Sequence, residues 1–334
     1  MKAAYIEAHG GLDQIRYGEM PTPVAGPGEA LVRVRACGLN HLDLFVLKGM
    51  PNVPVEMPRI PGGDAAGEVA ALGPGVREPA VGTRVLIDPE LGRGKDTHIN
   101  RNRVLGEHLN GGLCEFVAVP AANLVPLPDD VSFEAAATLP IAIGTAWRML
   151  TRRGRLKAGE TLLVLGASGG VGTACVQIGH MIGARVFACA SSDSKLEKLR
   201  AMGADHGINY EREDFSRAAW ELSGKRGMDV IVNFTGGDTL LPSIKALRVG
   251  GRLLTCGASA GHEAMVDLRY VWRREVDILG CNSWAREDLE ELIALVQRGR
   301  IVPPIHAIYP LTAAREAFRV LLDREVVGKA IVVP

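Results

Sequence analysis

The segment GASGGVG, Gly166 to Gly172, constrains this chain more than any other stretch. It follows TLLVLG (161–166), an apolar run with the length of a buried strand, and it leads into apolar positions at helical spacing through 174–182. Glycines between a strand and a helix let the backbone turn tightly, so that a pyrophosphate can sit against the bare N–H groups of the helix start. Alone such a motif is weak; inside a βαβ unit it has the context it needs. The rhythm continues beyond it. ARVFACA (184–190) reads as a second strand, with SKLEKLRAMGA (194–204) as its amphipathic helix. MDVIVNF (228–234), GRLLTCG (251–257) and VDILG (276–280) repeat the strand signal. This alternation predicts a parallel sheet wrapped by helices. The tail adds helices near 286–299 and 312–323 and a last strand in GKAIVVP.

The end of the second strand bears on which dinucleotide fits. NAD-selective sites place Asp or Glu there to bind the ribose hydroxyls. Here the run is Ala190, Ser191, Ser192, Asp193, Ser194, Lys195, with no carboxylate at the discriminating position in this register. Small hydroxyls and Lys195 suit a 2′-phosphate instead. The plainer alternative makes Lys195 a solvated lysine of the first helical turn.

The first 120 residues differ in character. EALVRVRACG (29–38), GEVAALGPGV (67–76) and VGTRVLI (81–87) read as short strands broken by glycine and proline, which predicts an irregular β domain. Residues 88–112 are polar and lack periodicity, long for a loop in a compact domain. At 334 residues the chain is about twice a typical domain, so two are expected. Lys and Arg total 38 and so do Asp and Glu, leaving no global field to draw nucleic acid or an acidic membrane. No apolar run approaches the roughly 20 residues of a membrane helix. The start, MKAAYIEAHGG, lacks the continuous apolar segment of a signal peptide, and the expected location is cytoplasmic. Six dispersed cysteines without a CxxC pair read as buried hydrophobes of a reducing compartment.

Several motifs together carry a resemblance: ACGLNHLD (36–43), PGGDAAGEVAALGPGV (61–76), VGTRV (81–85), GGLCEFVAVP (111–120), LPIAIGTAW (139–147), GASGGVG, VIVNFTGG (230–237) and the terminal GKAIVV (328–333). In these the chain resembles the medium-chain dehydrogenase/reductase superfamily over essentially its whole length. The resemblance implies an α/β fold: a GroES-like β-rich catalytic domain of 1–122 and 286–334, and a Rossmann NADP(H)-binding domain, a doubly wound parallel sheet, over 123–285. It also implies a homodimer, paired through the edge strand near 276–283. Zinc alcohol dehydrogenases of the superfamily hold a catalytic metal with Cys, His and Cys. The matching positions here are Asn40, Gly63 and Ile141, and 88–112 holds none of the four cysteines of a structural zinc lobe. No zinc is expected. The competing possibility is a displaced site on Cys37 and His41 with Asp64, His98 or His108, but metal sites need three or four convergent ligands.

Without the ligands the chain looks like the zinc-independent quinone oxidoreductase and enone reductase branch. That branch implies Asn40 and Asp43, its N-x-x-D segment, on the substrate side; the tyrosine often found two residues later is Phe45 here. It implies Lys195 and Tyr210, with Ser191, at the 2′-phosphate of NADPH, and Thr145 at the nicotinamide. Gly166, Gly169, Gly170, Val171 and Gly172 of the glycine turn, Gly257 and Ala258 after the fifth strand, and Lys329 complete the implied cofactor residues. Hydride transfer needs charge stabilised on the acceptor oxygen, which a metal does as a Lewis acid. A quinone or an α,β-unsaturated carbonyl delocalises that charge, so hydrogen bonds suffice. Candidate catalytic groups are the Asn40 amide, His41, and water held by Asp43. Each has a plainer alternative: Asn40 satisfying backbone groups, His41 packed in a core, Asp43 capping the following helix. The expected activity is an NADPH-dependent, zinc-independent reduction of such acceptors by this small-molecule enzyme. The alternatives are an alcohol dehydrogenase with a rebuilt metal site and an NADPH-binding protein of low activity.

Overall fold

The computed structural model describes residues 1–50, 53–91 and 103–334. Strands punctuated by glycine and proline open the chain. They are β1 (Lys2–Ile6), β2 (Ile15–Glu19), β3 (Glu29–Gly38), β4 (Asp64–Leu72), β5 (Arg84–Ile87), β6 (Glu90–Leu91), β7 (Arg103–Val104), β8 (Phe116–Pro120) and β9 (Leu124–Pro126), with helix α1 (His41–Lys48) after β3 and α2 (Phe133–Ala136) after β9. A short α3 (Thr145–Trp147) lies between π-type turns at Leu139–Gly144 and Arg148–Arg153. Strand and helix then alternate: β10 (Thr161–Val164), α4 (Gly170–Ile182), β11 (Arg185–Ala190), α5 (Asp193–Ala201), β12 (His206–Asn209), α6 (Phe215–Leu222), β13 (Met228–Val232), α7 (Leu240–Ala246), β14 (Leu247–Thr255), α8 (Leu268–Arg273) and β15 (Asp277–Gly280). The chain ends with α9 (Arg286–Gln297), β16 (Ile305–Pro310), α10 (Ala314–Leu322) and β17 (Lys329–Val333).

Contacts divide the chain into two units, 1–142 with 286–334, and 143–285. The first is built around β3. Its alternation puts Ala30, Val32, Val34 and Ala36 inside and Arg33 and Arg35 outside, the period of a strand with one solvated face. β4 runs antiparallel along one edge; β8 and the C-terminal β17 share the other, at Glu29–Arg33 and at Cys37–Gly38. The last strand therefore completes a sheet begun by the first third of the chain. Its apolar face packs with Ile6, Leu47, Ile60, Ile87 and, from α10, Phe318 into one core. The expected break at 122/123 differs from the observed one at 142/143. The reason is pairing: β9 joins β5 (Ile87 opposite Leu124), and the Ile141 N–H donates to Asp64.

The second unit is a six-stranded parallel sheet ordered β12-β11-β10-β13-β14-β15. In order of appearance this is 3-2-1-4-5-6, the doubly wound arrangement, whose ligand crevice lies beyond the carboxyl ends of the strands where the winding reverses. Here that point is between β10 and β13. Leu163, Phe187, Ile231 and Leu253 form its core. β12 carries only HGIN, too short and polar to stand out as a strand in sequence. No helix among the described residues is long and apolar enough to cross a membrane.

Candidate active site

In the second unit the glycine turn is shaped by contact. Gly166 has φ +61°, a conformation that glycine adopts without a Cβ penalty. A Cβ on Gly172 would lie 2.4 Å from the Gly166 carbonyl oxygen, so α4 rests directly on the turn that feeds it. Gly169 is the N-cap of α4 and faces open space; a Cβ there would find its nearest atom at 3.8 Å. The first N–H groups of α4, at Gly170, Val171 and Gly172, have no partner in the preceding turn of helix and concentrate positive potential at this end. Such a cradle fits a pyrophosphate.

The other expected cofactor residues gather at the same ends of the strands. Ser191 follows β11, and Lys195 Nζ donates to its hydroxyl at 3.3 Å. Tyr210, after β12, is tied to the end of β11 by its N–H to the Ala190 carbonyl at 3.2 Å, and its side chain is exposed. Ser192 caps α5, accepting from the Lys195 N–H, which fixes the first turn that carries the lysine. The nearby Asp193 carboxylate is engaged by Asn209 Nδ2 at 2.8 Å and Arg212 Nη1 at 2.7 Å. Those bonds, the Asn209 one foremost, hold it below its ordinary pKa. Gly257 and Ala258 follow β14 and are exposed. Thr145 is buried in α3; π-type turns like those beside it recur at functional sites.

The first unit holds a buried polar network. Lys329, at the start of β17, donates to Asn40 Oδ1 at 2.6 Å and to Asp64 Oδ2 at 3.0 Å, with side chains 3% and 0% exposed for the lysine and the aspartate. Asn40 Nδ2 donates back to Asp64 Oδ2 at 2.9 Å and to the Gly38 carbonyl at 3.4 Å. The other Asp64 oxygen accepts from the Ile141 N–H at 2.9 Å. Asp43 closes the start of α1: its two oxygens accept the N–H groups of Asn40 and Gly62, both at 2.8 Å. Burial drives its pKa up to about 6, against the pull of those two N–H groups and of Lys329.

This arrangement sorts the expected residues. The Asn40 amide is committed on both its oxygen and its nitrogen, to a lysine and an aspartate as well as to backbone. Asp43 acts as the cap at the start of α1. Lys329, expected among the cofactor residues, is instead buried within the first unit with its ammonium on Asn40 and Asp64. His41, the first residue of α1, is not core: the residue is exposed, and among the described residues no hydrogen bond engages its ring. Desolvation of the ring, then Lys329, Arg324 and Lys48, keep its pKa below the ordinary value, favouring the neutral imidazole. Phe45 is 42% exposed on the same helix.

A metal does not fit the positions where zinc relatives hold one. The Asn40 oxygen already faces an ammonium, and Ile141 offers only alkyl carbon. Gly63 has no side chain, and a Cβ there would sit 2.5 Å from Ile141 Cδ1. The displaced alternative finds no support in geometry. Cys37 is buried with its thiol pKa raised by burial, and His108 Nδ1 accepts from the Val104 N–H. His98 lies outside the described residues. Sequence reasoning missed the role of Asp64, whose partner Lys329 stands 265 positions away.

Two family descriptions match the chain: "Alcohol dehydrogenase GroES-like domain" over 26–129 and "Zinc-binding dehydrogenase" over 170–298. The chain is 30% identical over 331 residues to a zinc-type alcohol dehydrogenase-like protein of Schizosaccharomyces pombe, covering 96% of this chain and 95% of that one. It is 28% identical over 324 residues to a quinone oxidoreductase of Rattus norvegicus, covering 95% and 92%. Among solved structures, one described as an NAD-dependent alcohol dehydrogenase superposes with a TM-score of 0.93 at 37% identity over the whole of both chains. A 2-octenoyl-CoA carboxylase reductase in complex with NADP and 2-octenoyl-CoA superposes with a TM-score of 0.88 at 29% identity, covering 99% of this chain and 87% of that one.

The raised pKa of Asp43 makes stability pH-dependent with a definite sign. Folding lifts this pKa from the ordinary value near 4 to about 6, so in that window the native state holds a proton that the unfolded chain has lost. The resulting stability is fully present below about pH 4 and is lost as pH rises through about 6. Urea unfolding of wild type and Asp43→Asn at pH 4, 5, 6 and 7 should show wild type losing up to about 3 kcal/mol relative to the variant across this range. A pH-independent difference would contradict the buried, proton-binding Asp43.

Proposed function

Because the chain belongs to the medium-chain dehydrogenase/reductase superfamily of NAD(P)H-dependent oxidoreductases, we propose that it is a zinc-independent, NADPH-dependent reductase of quinones or α,β-unsaturated carbonyls. The observation that carries this reading is the state of the three positions where zinc relatives bind their metal. They hold Asn40, whose oxygen faces the Lys329 ammonium, Gly63, which has no side chain, and Ile141, packed against that glycine. With no Lewis acid available, an acceptor that delocalises its own charge is the one whose reduction hydrogen bonds can support. The quinone oxidoreductase relative and the enoyl-CoA-bound neighbour act on, or bind, compounds of this conjugated kind.

NADPH, when bound, supplies the hydride. Gly166, Gly169, Gly170, Val171 and Gly172 would take the pyrophosphate against the start of α4, and Ser191, Lys195 and Tyr210 the 2′-phosphate. Thr145 would meet the nicotinamide, with Gly257 and Ala258 alongside the dinucleotide. His41 is the group free to donate to the acceptor oxygen, since the Asn40 and Asp43 side chains are engaged. Those two residues, with Lys329 and Asp64, are positioning residues that fix the first turn of α1 and therefore His41. The second reading, oxidation of an alcohol, is favoured by the 37% identical NAD-dependent alcohol dehydrogenase.

The assembly proposed with this function is a homodimer. β15 is an edge strand with Ile278 46% exposed, and α8, which precedes it in the chain, exposes Leu268 and Trp272 at 68% and 67%. An open apolar edge of this kind invites pairing with a second copy. Sedimentation at micromolar protein should give a species of twice the chain mass; a clean 35.6 kDa species would reject it.

Cofactor choice and activity can be tested together. A charge-assisted hydrogen bond is worth roughly 1.5–3 kcal/mol, so Lys195→Ala should weaken NADPH binding about 10- to 100-fold. Partial exposure of Lys195 puts the effect toward the lower end. NADH affinity should barely move, which separates a lost contact from a damaged fold. Wild type should reduce 1,4-benzoquinone or an enone with NADPH, and with NADP+ should oxidise ethanol little. Preference for NADH in wild type would overturn the 2′-phosphate assignment, and ethanol as best substrate would establish the second reading.

A further inference from the structure

We propose that Arg59 is the centre of an anion-binding subsite in the first unit, one that takes a carboxylate or phosphate group carried by the acceptor. The residue is 5% exposed, and its Nε has no hydrogen-bond partner. Among the described residues the Arg59 side chain has no hydrogen bond or ion pair, and of its guanidinium nitrogens Nε is the one that is both buried and unpaired. The backbone cannot swing the side chain out. Arg59 N–H donates to the Ile6 carbonyl at 2.9 Å, and its own carbonyl accepts from the Ile6 N–H at 2.8 Å. A buried N–H without a partner is costly, and each one in a native structure asks for an explanation.

The surroundings are positive as well. Arg103 of β7 is near enough to disfavour the Arg59 charge, and both arginines, after burial itself, depress the pKa of His108. Glu56 is the acid that most favours the Arg59 charge, yet it forms no ion pair with it. Glu107, 3.8 Å from His108 Nδ1, is itself pushed toward its neutral form by burial. Basic groups from two segments, Arg59 and the Arg103–His108 stretch, therefore share one region, and among the described residues neither Glu56 nor Glu107 forms an ion pair with either arginine. The planar five-donor fork of arginine suits a carboxylate or phosphate held through two parallel bonds.

Position links this region to the reaction. Arg59 opens the segment Arg59-Ile60-Pro61-Gly62-Gly63-Asp64, in which Gly62 binds Asp43 and Asp64 binds Lys329. Five residues span at most roughly 17 Å. A conjugated carbonyl beside α1 and an anion on Arg59 thus belong to one molecule if a tether of several bonds joins them. The substrate class is a quinone or enone with a remote anionic group. This rests on the reductase reading for its chemistry, but anion binding is measured without turnover.

The test is thermal unfolding of wild type, Arg59→Met and Arg59→Lys in sodium phosphate, sodium hexanoate and sodium chloride at matched ionic strength. Phosphate or hexanoate, whichever chemistry the subsite takes, should raise the wild-type Tm by about 2–5 °C over chloride. Arg59→Met should unfold at or above the wild-type Tm in chloride and respond to neither anion; Arg59→Lys should respond less than wild type. A wild type indifferent to both anions overturns the proposal, as does a Met variant that keeps the full shift. So does a Met variant less stable than wild type in chloride, because the guanidinium would then be holding the fold. A second readout compares KM for an enone ending in a carboxylate with that for its methyl ester. Wild type should favour the acid at least tenfold, and Arg59→Met should bring the ratio toward one. If neither enone turns over while the anion shift is present, the reductase reading fails and the anion subsite stands.

Discussion

The buried pair of Lys329 and Asp64 is the interaction on which the first unit depends. It joins residues 265 positions apart, with the two side chains 3% and 0% exposed. Removing one partner of such a pair leaves an uncompensated charge in a dry interior, typically a loss of about 3–5 kcal/mol. The lysine arrives on β17, which reaches this place by pairing with the last two residues of β3. Asn40 lies two residues beyond that strand and is oriented by both charges. Asp43 then fixes the start of α1 to the Gly62 turn. The two ends of the chain are thus bound together around one cation.

That cation also bears on the chemistry proposed for the chain. An ammonium with three donors, two of them on Asn40 and Asp64, is a fixed charge rather than an open coordination site. The family's general architecture survives the change because the fold rests on strands and core, which the ligand positions do not build. Chemistry shifts with the site. In the proposed reduction a conjugated acceptor asks for a hydrogen bond at its oxygen, and exposed His41, its pKa lowered by desolvation, is the group proposed to give one.

What was legible in the sequence was local. The glycine turn, the alternating strands of the second unit and the short punctuated strands of the first are written in neighbouring residues, and the structure has them where the pattern puts them. β12 escaped the pattern reading, though the resemblance implied a strand there, because HGIN has neither length nor apolarity. The side-chain roles around Asn40 were hidden for a different reason. Their partners come from residues 64, 141 and 329, and no spacing rule connects those positions. Lys329 looked like a cofactor residue by resemblance, while its burial beside an aspartate is a tertiary fact. Arg59 carried no signal at all, since a lone arginine before a proline-glycine turn reads as surface.

Metal content and activity measured on one sample bear most directly on this account. The protein would be dialysed against a chelator, assayed for zinc, and given NADPH with 1,4-benzoquinone or an enone. The proposed zinc-independent reading predicts full retention of reductase activity at far below one zinc per chain. Activity lost on chelation and restored by one zinc per chain would contradict it.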